Sequence, residues 1–431
     1  GNKGGLFSDE LSFTIDYEWK RLNLGGIIDR RLRPEESTQL DFMDMDGDGD
    51  KDLISTKVGS SGYAAAPINI LSFDEGVFIP VRQFFYGGDT SFEFGDFNND
   101  GEMDIIVAVE ESGGNRIHVL LNTRKIDDER PDDFREYFQE HYAFEGDNFV
   151  PNLFNIEFAI KDLNNDGLVE ILAAGESSKL SDEAETVLAM ISVGPSNGTD
   201  LNFNEWLFSP AKSVIPEEQL NNLSFASYDF GDYDNDGDFD FLISGYSFDG
   251  YKTKLFENKR KLDENGVVVE PIEVFFEEVN ATVNNFVSVK SGTTDLVDFN
   301  ADGKLDVLFS GQSSTGDLVK AYSNDGADAD GVNKFTEINV GLPAVREGRF
   351  VFGDFDSNGY SDVLYSGTVS GEGKVTKLAS WIPETNSMLQ SDYDLSFYVD
   401  ANIGVADFDG DLDADFVITG LNKYDKNYSE Y

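Results

Sequence analysis

One nine-residue pattern, D-x-[DN]-x-[DN]-G-x-x-[DE], recurs seven times along the chain, with a single departure from it in the last copy. Its first position is Asp44, Asp96, Asp162, Asp232, Asp298, Asp354 and Asp407. Position 3 is Asp46, Asn98, Asn164, Asp234, Asn300, Asp356 and Asp409, and position 5 is Asp48, Asp100, Asp166, Asp236, Asp302, Asn358 and Asp411. Position 7 is Asp50, Glu102, Leu168, Asp238, Lys304, Tyr360 and Asp413, and position 9 is Asp52, Asp104, Glu170, Asp240, Asp306, Asp362 and Asp415.

Such a spacing suits a hard cation. Calcium takes about six to eight oxygens at ~2.3–2.6 Å. In a tight loop the side chains at positions 1, 3 and 5 converge on one centre. Glycine at position 6 permits the sharp turn, the carbonyl at position 7 turns inward, and the carboxylate at position 9 closes the site with both oxygens. The EF-hand shares the first half of this pattern but needs a Glu at position 12 between helices. Position 12 here is Ser55, Val107, Ala173, Ile243, Phe309, Tyr365 or Ile418, none of them a carboxylate. Solvated Asx-turns are the plainer alternative, but turns do not need converging carboxylates. The seven copies hold 24 acids at positions 1, 3, 5 and 9, and seven calcium ions would offset 14 of those charges. Asn358 is a neutral ligand and predicts weaker binding in its loop, and Leu412 replaces the glycine of the last copy.

The elements around the loops read as strands. Position 2 is apolar in every copy: Met45, Phe97, Leu163, Tyr233, Phe299, Phe355 and Phe408. Each loop leads into a short apolar run such as DIIVAV, DFLISG or DVLYSG, too short for a helix and suited to a strand buried on both faces. Copies start 52, 66, 70, 66, 56 and 53 residues apart, room for four strands each. That is the size of one propeller blade. The expected fold is all-β, a seven-bladed β-propeller with a calcium loop between strands 1 and 2 of each blade, residues 1–431 forming one domain. A chain of 431 residues exceeds an ordinary single core, which also favours repeats.

Composition narrows the partners. The formal net charge of −51 repels nucleic acid and anionic membranes. The 36 Phe and 17 Tyr are too many for a disordered chain. With no Cys there are no disulfides or thiolate metal sites, and no apolar run is long enough for a membrane helix.

Three loops are preceded by Phe-Gly: Phe94-Gly95, Phe230-Gly231 and Phe352-Gly353. With the acidic loops and the apolar strand that follows, these residues resemble the FG-GAP or VCBS repeat family, which includes the integrin α-subunit propeller. The resemblance spans about residues 38–421. It implies calcium held between the first two strands of each blade, by side chains at positions 1, 3, 5 and 9 and the carbonyl at position 7. Integrin-like propellers load only some blades, so seven competent loops point to a bacterial surface type. It further implies an exported protein, extracellular or on the cell surface, with its signal already removed.

Fold does not fix function. The expected role is a calcium-stabilised binding or adhesion module for an extracellular protein or glycan. The alternatives are a polysaccharide-active lyase or hydrolase and a structural subunit of a surface assembly. His118 and His141 read as packing residues, and neither G-x-S-x-G nor H-E-x-x-H occurs. A ligand face is expected opposite the calcium loops, with Tyr63, Tyr86, Tyr246, Phe248 and Tyr251 as candidate contacts. Residues 1–37 include LSFTIDYEWKRL, whose alternation predicts an outer strand that closes the last blade.

Overall fold

The computed structural model describes residues 37–45, 51–57, 65–74, 77–87, 90–97, 99–111, 114–122, 138–142, 154–163, 169–176, 186–192, 223–260, 274–279, 285–329, 332–391, 395, 398–407 and 414–422. All elements among them are strands, and every sheet is an antiparallel meander in chain order. The first blade is β1 (Ser37–Met43), β2 (Asp52–Lys57), β3 (Ala65–Asp74) and β4 (Val77–Gly87). The second is β5 (Thr90–Gly95), β6 (Asp104–Glu111), β7 (Gly114–Asn122) and β8 (Phe138–Tyr142). A three-stranded sheet follows: β9 (Phe154–Lys161), β10 (Glu170–Glu176) and β11 (Thr186–Ser192). Then come β12 (Ser224–Gly231), β13 (Asp240–Ser247), β14 (Gly250–Arg260) and β15 (Val274–Glu278). The next blade is β16 (Lys290–Val297), β17 (Asp306–Ser313), β18 (Gly316–Ala327) and β19 (Asn333–Ile338). The last complete one is β20 (Val345–Gly353), β21 (Asp362–Val369), β22 (Gly373–Ile382) and β23 (Ser387–Gln390). Two strands close the series, β24 (Tyr398–Ala406) and β25 (Asp415–Asn422).

The protein is an all-β propeller. The sequence leads one to expect seven four-stranded blades, and the structure shows five. Among the described residues the third and last sheets hold three and two strands, and residues 193–222 and 423–431 lie outside the described ones. The expected closing strand within residues 1–36 also lies outside them. Among described elements, β1 of the first blade lies against β24 of the last sheet, so first and last repeats meet.

The apolar runs after the loops are second strands, buried on both faces along β13, β17 and β21. Core therefore forms between blades rather than under one sheet. One cluster joins Met45, Ile54 and Ile70 of the first blade to Phe92, Val107 and Leu120 of the second. Another joins Phe299 and Leu308 to Val363, Tyr365 and Trp381. Burying each such side chain contributes roughly 1.5–3 kcal/mol. The Phe-Gly pairs have the same cause. A Cβ on Gly95, Gly231 or Gly353 would come within 2.7 Å of Ile160, 2.4 Å of Leu305 or 2.8 Å of Ala414, each on the next blade. Only glycine allows that approach. His118 is buried in β7, in keeping with a packing role.

Candidate metal loops and inter-blade clamp

Each described acidic loop joins the first and second strands of its sheet, where the sequence puts it. The loops at Asp232, Asp298 and Asp354 are described in full, and the loop at Asp96 except for Asn98. Asp46, Asp48, Asp50, Asn164, Asp166, Leu168, Asp409, Asp411 and Asp413 lie outside the described residues.

The four described loops share one hydrogen-bond scheme. The position 1 carboxylate accepts from the backbone N–H groups of positions 5 and 6. In the Asp232 loop these are Asp236 and Gly237, both at 3.0 Å. In the Asp354 loop they are Asn358 at 3.0 Å and Gly359 at 2.8 Å. Asp96 and Asp298 do the same. Position 5 in turn accepts from the N–H of position 7, as Asp236 does from Asp238 at 3.2 Å. The position 6 glycines all have positive φ, 81° to 93°. That is the left-handed backbone that disfavours a Cβ. Position 4 also has positive φ, at Asn99, Asn235, Ala301 and Ser357, a feature the sequence pattern did not reveal.

Position 9 has a second role that its residue type did not reveal: both oxygens of its carboxylate accept backbone N–H groups. Asp240 Oδ2 accepts from Tyr233 at 3.2 Å and Oδ1 from Asn258 on β14 at 2.9 Å. Asp104, Asp306 and Asp362 repeat this with Phe97 and Asn122, Phe299 and Asn324, and Phe355 and Trp381. Asp52 and Glu170 make the position 2 bond, to Met45 and Leu163. The reason is location: position 9 opens the second strand, between the loop and the third strand. Position 9 is thus first a staple of the fold, and each oxygen keeps a lone pair for a cation.

Two loops gather carboxylates. Oxygens of Asp232, Asp234 and Asp240 lie within 4.8 Å of one another, as do those of Asp354, Asp356 and Asp362. Two oxygens on one calcium at ~2.3–2.6 Å can be no further apart than about 5 Å, so both sets fit that ion. Positions 1, 3 and 9 converge in each. In the Asp298 loop position 3 is Asn300, and Lys304 Nζ pairs with Asp302 Oδ2 at 2.6 Å, placing an ammonium beside the acids. Electrostatics match the crowding. Burial, then the nearby Asp234 charge, push Asp240 up to about 9 despite its backbone bonds. Burial and Asp236 raise Asp234 to about 6, and Asp104 and Asp362 rise to about 8 and about 7, chiefly through burial. A cation at the centre reverses that cost.

The repeat also carries a clamp that the metal-ligand pattern left unread. Asn122, Asn258 and Asn324 stand 18 residues after position 9 of their own blades. Each side-chain amide donates to the position 2 carbonyl of the preceding blade: Asn122 to Met45 at 3.0 Å, Asn258 to Leu163 at 2.8 Å and Asn324 to Tyr233 at 2.8 Å. In the next blade Trp381 takes the place of Asn and stacks on Phe299, centroids 5.8 Å apart and planes at 13°. The fixed offset of Asn was the available signal. A second unread feature is an acid three residues before a loop, at Asp41, Glu93, Asp229 and Asp295. These are coupled from blade to blade, with Lys161 and Arg349 among them.

Blades packed face to face, each with an acidic loop between its first two strands and three of them clamped to the loop of the blade before, define a repeat propeller. The FG-GAP-like repeat family model matches residues 44–107, the first loop through β6. With the recurring motif and this architecture, the match over the first repeat supports a propeller of the FG-GAP/VCBS type. No curated protein matches it. A similar solved structure is the exo-1,5-alpha-L-arabinanase from a bovine ruminal metagenomic library. It is 13% identical and covers 70% of this chain and 97% of its own, with a TM-score of 0.32, too low to imply shared activity. No helix among the described residues is long and apolar enough to cross a membrane, which says nothing of β-barrels.

Proposed function

We propose that the protein is a calcium-stapled, seven-bladed propeller that works outside the cell as a binding module for a glycan or protein. One observation carries the binding reading. Phe248, at the tip of the β13–β14 hairpin, is 91% exposed. β13 starts at the acidic loop and ends at this hairpin, so the ring stands at the end opposite the loops. A large aromatic left in water at a rigid tip marks a contact surface. Calcium is supported by the two convergent carboxylate sets. Loops of this kind in extracellular modules bind at ~10⁻⁴–10⁻³ M, a range filled outside cells and empty in a cytosol.

Elemental analysis of protein purified in calcium should find about seven ions per chain, one for each loop. Two or fewer would overturn the calcium reading. Binding to arrayed extracellular glycans and proteins should weaken in Phe248→Ser while the melting temperature holds. Unchanged binding would move the contact surface elsewhere.

A further inference from the structure

We propose that the aromatic and lysine cluster at this end of the β12–β15 and β16–β19 blades recognises a glycan ending in an acidic sugar, a pyranose that carries one carboxylate. This rests on the binding-module reading above and names its ligand class. Tyr246 and Tyr251 face each other across the β13–β14 ladder in a T-shaped pair, centroids 5.1 Å apart. Lys290, the first residue of β16, reaches over from the next blade. Its Nζ lies 4.5 Å from the Tyr246 centroid, 5.4 Å from Phe225 and 5.8 Å from Tyr251. Cation–π attraction holds an ammonium in such a cage.

Two features point to a ligand. Lys290 makes no ion pair among the described residues, although the chain carries 83 acidic residues against 32 basic ones. Among the described residues its charge is held by ring faces alone. The second feature is Phe225. It sits in the bulge between Ser224 and Ser227 at φ 50°, where a bulky side chain is an outlier. Ser291 and Glu347 hold the same place and the same φ in the two following blades. The bulge is shared by the repeat, but of these three only Phe225 puts a ring there, 51% exposed.

An exposed phenyl ring and two half-buried tyrosines around an ammonium with no anion among the described residues call for a ligand with an apolar face and one negative charge. A pyranose offers C–H faces to the rings, and a ring carboxylate accepts from Lys290. An acidic peptide supplies the carboxylate without a rigid face beside it. Polyanions are disfavoured, because the net charge of −51 repels them and a single lysine answers a single carboxylate.

Calorimetry on the full chain in calcium tests this with oligosaccharides ending in glucuronate or N-acetylneuraminate, each beside its carboxyl-reduced counterpart. An acidic form is expected to bind roughly 10- to 100-fold tighter than its reduced form, the range of one hydrogen bond to a charged group. Lys290→Gln should erase that difference, Lys290→Arg should keep most of it, and Phe225→Ser should weaken both forms. Equal affinity of acidic and reduced forms overturns the inference, as does an acid preference that survives Lys290→Gln. Should Lys290→Gln fail to fold, the acid-to-reduced comparison on the unaltered chain still decides. Binding of a protein through Phe248 with no acidic glycan bound refutes this inference and leaves the binding-module reading standing.

Discussion

The side-chain amide of Asn324 donates to the backbone carbonyl of Tyr233, 91 residues earlier, at 2.8 Å, and so ties one blade's third strand to the acidic loop of the blade before it. The same amide reaches Leu305 O at 3.0 Å, and the Asn324 backbone N–H donates to Asp306 Oδ1 at 2.7 Å. One residue thus joins loop, strand and neighbouring blade.

Removing that amide takes a donor from Leu305 O and leaves Tyr233 O with Asn333 Nδ2 at 3.2 Å. Asn324→Ala is expected to cost about 0.5–1.5 kcal/mol, the net worth of a hydrogen bond whose acceptor keeps another donor. Asn258→Ala, which takes the side-chain amide from Leu163 O, should cost more, about 1–3 kcal/mol. Urea unfolding in calcium measures both. A loss under ~0.5 kcal/mol for each would show that the clamp contributes little.

Positions 3 and 9 should separate when metal is removed. Asp240→Asn keeps one acceptor oxygen where two backbone N–H groups need one each, so it should destabilise with chelator present, by about 1–3 kcal/mol. Asp234→Asn removes a carboxylate whose charged form is disfavoured by burial and then by Asp236, so it should be neutral or stabilising in chelator and harmful only in calcium. Melting curves with and without chelator decide. Identical behaviour of the two variants would contradict the staple role of position 9.

Asp295 should give stability a pH slope. Burial raises its carboxyl to about 8 from an ordinary 3.8, with the Asp229 charge adding to it, and its buried Oδ2 has no hydrogen-bond partner among the described residues. Between those pH values the folded chain holds a proton that the unfolded chain has released. Its contribution is full below the unfolded value and is lost as pH rises through the folded one. Asp295→Asn cannot ionise, so it should match the parent near pH 4 and exceed it at pH 8 by on the order of a few kcal/mol. Glu93, raised to about 7 mainly by burial, adds a slope of the same sign. Denaturant midpoints across pH 4–8 test this, and a variant less stable at pH 8 than the parent would refute it.

Two glycines of one loop should fail for different reasons. Gly353→Ala would put a Cβ 2.8 Å from the Ala414 Cβ, a methyl with no rotamer to escape into, and should cost about 1–3 kcal/mol of overpacking. Gly359→Ala meets nothing within 4 Å but must hold φ +84°, at roughly 1–2 kcal/mol. Repacking Ala414→Gly should rescue the first and not the second. Equal rescue of both would remove the steric account.

Much of this protein is written in local sequence. The seven acidic loops, the glycine at position 6 and the buried residue at position 2 are contacts within nine residues, and they are set by turn chemistry and strand period. The apolar runs mark second strands for the same reason: a strand covered on both faces has no polar side to alternate with. What lay beyond reach depends on which blade faces which. The Asn324–Tyr233 bond spans 91 residues, and the Phe-Gly glycine is needed only because Ile160, Leu305 or Ala414 arrives from the neighbouring blade. Position 9 could be read as a ligand from its type, but its two backbone partners exist only once the third strand lies beside the loop. The cage around Lys290 likewise draws residues from two blades. Local spacing determined which residues repeat, and tertiary packing decided what each repeat holds on to.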